Sequence, residues 1–303
     1  MTLATLAAFI RLGRPLFLGG GFLLFALGAA IARISGHAID ATAYALGQAT
    51  VTAFQLMTHY ANDYFDFAAD RANTTPTQFS GGSRVLANDE LPRRVALIAA
   101  LVLAGLGAVA GLALVRHVGG TAPVAIVLTM AVLAWEYSAP PLRLCATGLG
   151  ELDTAIVVTV LVPLLGFVIQ APDLAGARIL ALAVVAPALL QAAMLLAIEF
   201  PDAAGDAATG KRTLVVRLGA PIAAKLWIAV TALAFAWLPI AYVLGLPGRI
   251  ALAAAIAAPL AVYRISRVAD HRHPAAFERL AFGAVALLVA TTACELAAAL
   301  SLA

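Results

Sequence analysis

Seven oxygen-bearing side chains fall into two sets with matched spacing: Asn62, Asp63, Asp66 and Asp70, then Glu199, Asp202 and Asp206. On a helix, steps of three and four keep side chains on one face, so each set presents its carboxylates side by side. Like charges this close repel, and a cation among them relieves the repulsion. Ligands that are all oxygen favour a hard ion, Mg²⁺ or Ca²⁺, over zinc. A lone Asp at a helix end reads as a solvated cap, whereas two sets with one spacing read as two jaws of one metal site.

Basic residues follow each set. After the first comes Phe79-Ser80-Gly81-Gly82-Ser83-Arg84, and after the second Thr209-Gly210-Lys211-Arg212-Thr213-Leu214-Val215-Val216-Arg217. Glycines expose main-chain N–H groups, and Arg or Lys supplies donors for phosphate. Acid to hold metal beside base to hold phosphate points to a diphosphate. A third stretch, Tyr137-Ser138-Ala139-Pro140-Pro141-Leu142-Arg143, ends a helix in a stiff proline turn. Tyr137 and Ser138 can donate to a phosphate or to an oxygen of a second substrate, and Arg143 can pair with either. Arg14, ahead of Pro15, is placed to reach the mouth of the same pocket. His59 lies one turn before Asn62, where a packed interface histidine is the competing reading.

The elements that position these groups are apolar helices. Of 303 residues, 63% are hydrophobic and only 12% charged, where a soluble domain carries about a quarter charged residues. Nine runs are expected to cross a bilayer: 15–33, 42–61, 93–115, 121–137, 153–171, 179–199, 221–244, 249–267 and 279–299. The net charge of +3 sits between these runs, so membrane orientation accounts for it and nucleic acid does not. Of the 19 Lys and Arg residues, only Arg33, Arg116, Arg178 and Arg249 fall on one side of the spans. The positive-inside rule puts the other side, with the N-terminus, in the cytoplasm. The longer polar loops, 67–92, 138–152, 200–220 and 268–278, all lie on that side, which should be the working face. The two acidic sets end the second and sixth spans, an offset of four that suggests a duplicated four-helix unit plus one extra helix. Cys145 and Cys294 make no disulfide or metal pattern, and His271 and His273 read as surface residues. Trp135, Trp227 and Trp237 read as interface anchors or packing.

Taken together, Asn-Asp-x-x-Asp-x-x-x-Asp from Asn62, Tyr-Ser-x-Pro-Pro-Leu-Arg from Tyr137 and Asp-x-x-x-Asp-x-x-x-Gly-Lys-Arg-Thr-Leu from Asp202 resemble the UbiA superfamily of intramembrane aromatic prenyltransferases. The resemblance spans nearly the whole chain. It implies an all-α polytopic membrane protein, a single domain over 1–303 with nine transmembrane helices around a central cavity. It implies Mg²⁺ held chiefly by Asn62, Asp66, Asp202 and Asp206, with Asp63 and Asp70 alongside, and a lateral opening to lipid for a prenyl tail. The substrates implied are a prenyl diphosphate and an aromatic small molecule, met in the cell's inner (plasma) membrane. Gly81 to Leu86 and Gly210 to Leu214 look most like the menaquinone branch, which prenylates 1,4-dihydroxy-2-naphthoate. Glu199 departs from it, since many members have Asn or another neutral residue there, so 4-hydroxybenzoate, homogentisate or another quinone precursor stays open as acceptor. In the implied reaction Arg84, Tyr137, Arg143, Lys211 and Arg212 face the diphosphate. Glu199, Ser138 and Arg14 face the acceptor, and Asp63, Asp70 or Glu199 orients or deprotonates its hydroxyl. The competing reading, a cation or solute transporter, requires polar residues through the membrane midplane, whereas these acids gather at one end of spans made of Ala, Leu, Val and Ile.

Overall fold

The computed structural model describes residues 2–303, and among them there are helices and no strands. An amphipathic helix α1 (Leu3–Leu12) leads into α2 (Leu18–Ile34), α3 (Ala41–Phe65), α4 (Phe67–Ala72), α5 (Arg93–Val118) and α6 (Thr121–Glu136). The second half holds α7 (Gly150–Ile156), α8 (Val162–Val168), α9 (Ala177–Ala183), α10 (Val185–Glu199), α11 (Ala203–Ala208), α12 (Leu214–Leu218), α13 (Ala220–Val243), α14 (Gly248–Ala255), α15 (Ala258–Ser266) and α16 (Phe277–Leu300).

All nine expected apolar segments are helical, and seven are long and apolar enough to cross a membrane. These are Pro15–Ile34, Arg93–Val118, Gly150–Val168, Ala177–Glu199, Ala220–Val243, Gly248–Ser266 and Pro274–Leu300. The chain is an integral membrane protein. The other two fall short for different reasons. Helix α6 has 16 residues, about 24 Å at 1.5 Å per residue. Helix α3 is 25 residues long, but Gln48, Thr50, Thr52, Gln55, Thr58, His59, Asn62 and Asp63 dilute its apolar character. Gly150–Val168 is not a regular helix, since a π turn at Val157–Leu161 joins α7 to α8, an irregularity that favours functional sites.

Helix pairing repeats between the halves. In the first, α3 packs on α2 and α5, and α5 on α6; in the second, α10 packs on α7 and α13, and α13 on α14. Contacts of α2 with α8 and with α16 join the halves. Glycine brings backbones close where α2 meets α8, since any side chain on Gly28 would run into the Pro163 carbonyl, as small residues do in membrane helix pairs.

The four polar loops interlock at one end. The Arg212 N–H donates to the Ala146 carbonyl (3.0 Å), the Thr75 hydroxyl to the Pro201 carbonyl (2.8 Å) and the Gln78 N–H to Glu278 Oε2 (3.0 Å). His271 departs from its expected surface place. It is buried, its ring 5.2 Å from that of Phe200, because the turn Val268–Arg272 folds back under the end of α10.

Candidate active site

Both acidic sets keep their helical spacing through a break in the chain. Helix α3 stops at Phe65 and α4 starts at Phe67, yet the Asp66 N–H still donates to the Asn62 carbonyl (2.8 Å) and the Asp70 N–H to that of Asp66 (2.9 Å). In the second set the Asp206 N–H reaches the Asp202 carbonyl at 2.9 Å. The two segments then meet, α4 against α11. Gly205 permits the approach, since a Cβ there would come within 3.0 Å of the Ala69 carbonyl oxygen and the Asn73 nitrogen.

Side chains bridge the two segments. Lys211 Nζ donates to Asp66 Oδ2 at 2.8 Å and lies 3.5 Å from Asp206 Oδ1. Asn73 Nδ2 donates to Asp202 Oδ1 at 2.7 Å. Asn62 Nδ2 donates to Asp66 Oδ2 (2.9 Å) and to Ser138 Oγ (3.1 Å), tying in the loop after α6. Arg143 adds a longer-range pairing, Nη2 to Asp66 Oδ1 at 3.8 Å. Asp66 is 3% exposed and is the hub of the network.

Burial pushes Asp202 up to about 6 and Asp206 up to about 7, in both cases against the pull of Lys211. Asp70 rises well above the ordinary carboxylate range, chiefly by burial and then by the charge of Asp63. Burial alone would lower the Lys211 pKa, but Asp66, Cys145 and Asp206 together outweigh that cost and raise it well beyond the ordinary lysine range.

The sequence-derived site residues do not all do the same work. Asp63, 2% exposed, is saturated by Arg14, whose Nε donates at 3.1 Å, and by the N–H and hydroxyl of Ser83. It therefore ties α3 to the start of α2 and to the glycine loop. Asp70 packs on Gly82, whose φ of +71° and missing side chain leave room for the carboxylate. Arg84 turns its guanidinium onto the main-chain carbonyls of Asp70 and Gly81, bracing its own loop. The Arg212 side chain is exposed and engages the site only through its main chain. Tyr137 faces the large cavity, and Ser138 is fully buried beneath Asn62. Glu199 meets Glu151, and one oxygen of each is buried without a donor. Arg14, Arg84 and Arg143 all have positive φ, at 48°, 66° and 46°. A conformation costing of order 1–2 kcal/mol per residue is retained three times around one site.

Several site residues escaped the sequence reading. Asn73 carries no charge and sits in a loop, so only its contact with Asp202 reveals it, and Ser83, inside the glycine stretch, is revealed by its bonds to Asp63. Cys145, which forms no disulfide or metal pattern in the sequence, lies with its Sγ 3.8 Å from Asp66. Glu151 and Asp153 were visible as acids at the start of an apolar run, a costly placement that marks function.

Behind this polar end lies a cavity of about 200 Å³. Its wall runs from Arg14, His59, Asn62 and Tyr137 into Val51, Phe54, Met130, Val158, Met194 and Leu288. His59 is fixed by a 2.8 Å contact of Nδ1 with the Gly13 carbonyl. A second, more polar pocket is lined by Asp66, Arg143, Thr209, Gly210 and Lys211. A charged head and a long hydrocarbon tail thus have adjoining places.

No curated protein matches the sequence. Among solved structures, a UbiA homolog from Aeropyrum pernix K1 superposes with a TM-score of 0.66 at 20% identity, over 90% of this chain and 96% of the other. A digeranylgeranylglyceryl phosphate synthase gives 0.65 at 18% identity, over 98% and 99%. A UbiA homolog from Archaeoglobus fulgidus bound to GPP and Mg²⁺ gives 0.61 at 15% identity, over 95% and 99%. At these identities the structures share the fold. The sequence itself carries the assignment: the model of the UbiA prenyltransferase family matches residues 3–287, and the chain belongs to that family.

Proposed function

We propose that the chain transfers a polyprenyl group from its diphosphate to an aromatic acceptor, with 1,4-dihydroxy-2-naphthoate as that acceptor in menaquinone biosynthesis. The observation that carries the reading is the meeting of the two acidic segments around Lys211, at the polar end of an apolar cavity. A relative from Archaeoglobus fulgidus bound to GPP and Mg²⁺ supports a prenyl diphosphate and Mg²⁺ as ligands. With α3 and α6 also crossing the bilayer, the chain has nine spans, and the positive-inside rule turns the site toward the cytoplasm of the plasma membrane.

The donor set suits Mg²⁺. Asn62, Asp66, Asp202 and Asp206 offer oxygen only, and Asp206 Oδ2 is buried without a partner. Among the described residues no group of three or more acids, histidines or cysteines stands close enough to hold a metal ion unaided, so a site here is open and is completed by the substrate. Mg²⁺ sites built from one or two carboxylates plus phosphate oxygens have that open form. Bound there, Mg²⁺ supplies positive charge for the diphosphate as it departs.

The protein's own groups do the rest. Lys211 and Arg143 stand over Asp66 and offer donors to the phosphate oxygens that gain charge. The cavity wall holds the tail extended, so that the allylic C1 faces the polar end. The C1–O bond breaks with its electron pair going to the diphosphate. An electron-rich ring carbon of the acceptor forms the new bond to C1, and the ring is restored by loss of the proton on that carbon or, where a naphthoate gives a product without its carboxylate, by loss of that group as CO₂. Apolar walls keep out water, which would otherwise capture the carbocation-like C1.

Asp66→Ala and Asp202→Ala, assayed in membranes by mass spectrometry of products, are expected to lower prenyl transfer by at least ~10²-fold while the purified proteins stay monodisperse. A chelator should stop the unsubstituted enzyme, and Mg²⁺ should restore it. Turnover that survives chelation or either substitution rejects the metal-assisted reading, and a mixture of acceptors in the same assay tests the naphthoate.

A further inference from the structure

Asp153 is the one carboxyl group among the residues lining the large cavity. It lies on α7, which packs against α10, and is 6% exposed. No donor of the protein reaches its buried Oδ1. The cationic group in the same wall, Arg14, is committed to Asp63 and Asn62, and His59 is committed to the Gly13 carbonyl. Gln191, on α10 and also in the wall, adds a second polar side chain on this flank. A buried polar group left unpaired is costly, so its partner is to be sought in whatever fills the cavity. A prenyl tail has no hydrogen-bond donor, and a diphosphate is an anion that a carboxylate repels. The second substrate of the proposed reaction is the one that carries donors.

We propose that Asp153 accepts a hydrogen bond from a ring hydroxyl of the acceptor, so that the site selects aromatics whose hydroxyl is free. This rests on the prenyl-transfer reading and deepens it, because it assigns the acceptor a chemical class: a hydroxyarene whose anionic substituents, if any, point away from α7. A site built to hold a hydroxyl rejects the analogue without its proton, since the carboxyl is then left unpaired.

The test uses the purified full-length protein with Mg²⁺ and two probes, 1-naphthol and 1-methoxynaphthalene, with binding followed by tryptophan fluorescence. The unsubstituted protein is expected to bind 1-naphthol at least tenfold more tightly than its methyl ether. Asp153→Leu should abolish that preference, and Asp153→Asn, which keeps one acceptor oxygen, should retain part of it. In both variants KM for a prenyl diphosphate should stay within twofold, which shows that the fold and the metal end are intact. An unsubstituted protein that does not separate the probes overturns the proposal. So does a Leu variant that separates them as well as before, or one that loses naphthol and prenyl diphosphate in equal measure. If Asp153-dependent naphthol binding is found but no acceptor is ever prenylated, the hydroxyl site stands and the transfer reading falls. If prenylated product forms and Asp153→Leu still separates the probes as well as before, the outcome is the reverse.

Discussion

Asp63 and Asp66 stand three residues apart on one helix end and do different jobs. Asp66 is shared among Lys211, Asn62 and Arg143, whereas Asp63 is spent on Arg14 and Ser83. Removing one partner of a buried ion pair leaves an uncompensated charge, at a cost of about 3–5 kcal/mol. Arg14→Ala should therefore lower the melting temperature in detergent markedly. The double variant Arg14→Ala with Asp63→Asn should recover much of the loss, and additivity of the two would show that the pair does not act as a unit. The second acidic set makes a pH prediction. Asp202 and Asp206, raised by burial from 3.8 to about 6 and about 7, bind protons more tightly in the folded chain than in the unfolded one. Their contribution to stability is full below about pH 4 and is lost as pH rises through 6 and 7. Mg²⁺ competes with those same protons. The melting temperature without metal should fall from pH 5 to pH 8, and the rise on adding Mg²⁺ should be larger at pH 8 than at pH 6. A rise that is independent of pH would show that these carboxyls are not ligands.

At the scale of elements, the helices were legible and their breaks were not. Apolar composition placed every long helix within a few residues. The interruption at Asp66 and the π turn at Val157–Leu161 left no trace in hydrophobic pattern, because both are local departures that packing imposes. A glycine such as Gly205 loosens a helix by its type alone, whereas its use here, letting α11 rest on the backbone of α4, appears only in the fold. Gly205→Val is expected to push the two acidic segments apart, with prenyl transfer falling at least ~10-fold while the melting temperature changes by only a few degrees. A variant with unchanged turnover would mean that the close approach of α4 and α11 does not set the ligand geometry. Asn73 was equally hidden: it is an ordinary loop residue until the fold brings its amide 2.7 Å from Asp202.

At the scale of the whole molecule, length and apolarity single out seven crossing helices, fewer than the nine segments expected. The shortfall in α3 comes largely from its work: five of the eight residues that dilute it lie at the cavity or the acidic end. Gln55, Thr58, His59 and Asn62 line the cavity, so the helix that carries the first acidic set gives up its membrane signature to do so. Gly20 lines the same cavity with open space where a side chain would begin. Gly20→Phe should thus narrow the cavity without disturbing the backbone. Turnover with a long prenyl diphosphate should fall more than with a short one, and equal losses for both would place the tail elsewhere.

The amino-acid sequence by itself determined the membrane class, the helical architecture and the two acidic sets. Hydrophobic length and side-chain spacing are properties of a chain segment and need no partner. Tertiary structure alone decided which acids are free to serve a ligand. That depends on what each one touches: Arg14 closing on Asp63, Lys211 reaching between Asp66 and Asp206, Glu151 meeting Glu199, and Asp153 left unpaired in the cavity wall. These residues lie far apart along the chain, so no local pattern records their meeting, and only the packing of the helices brings their charges within reach.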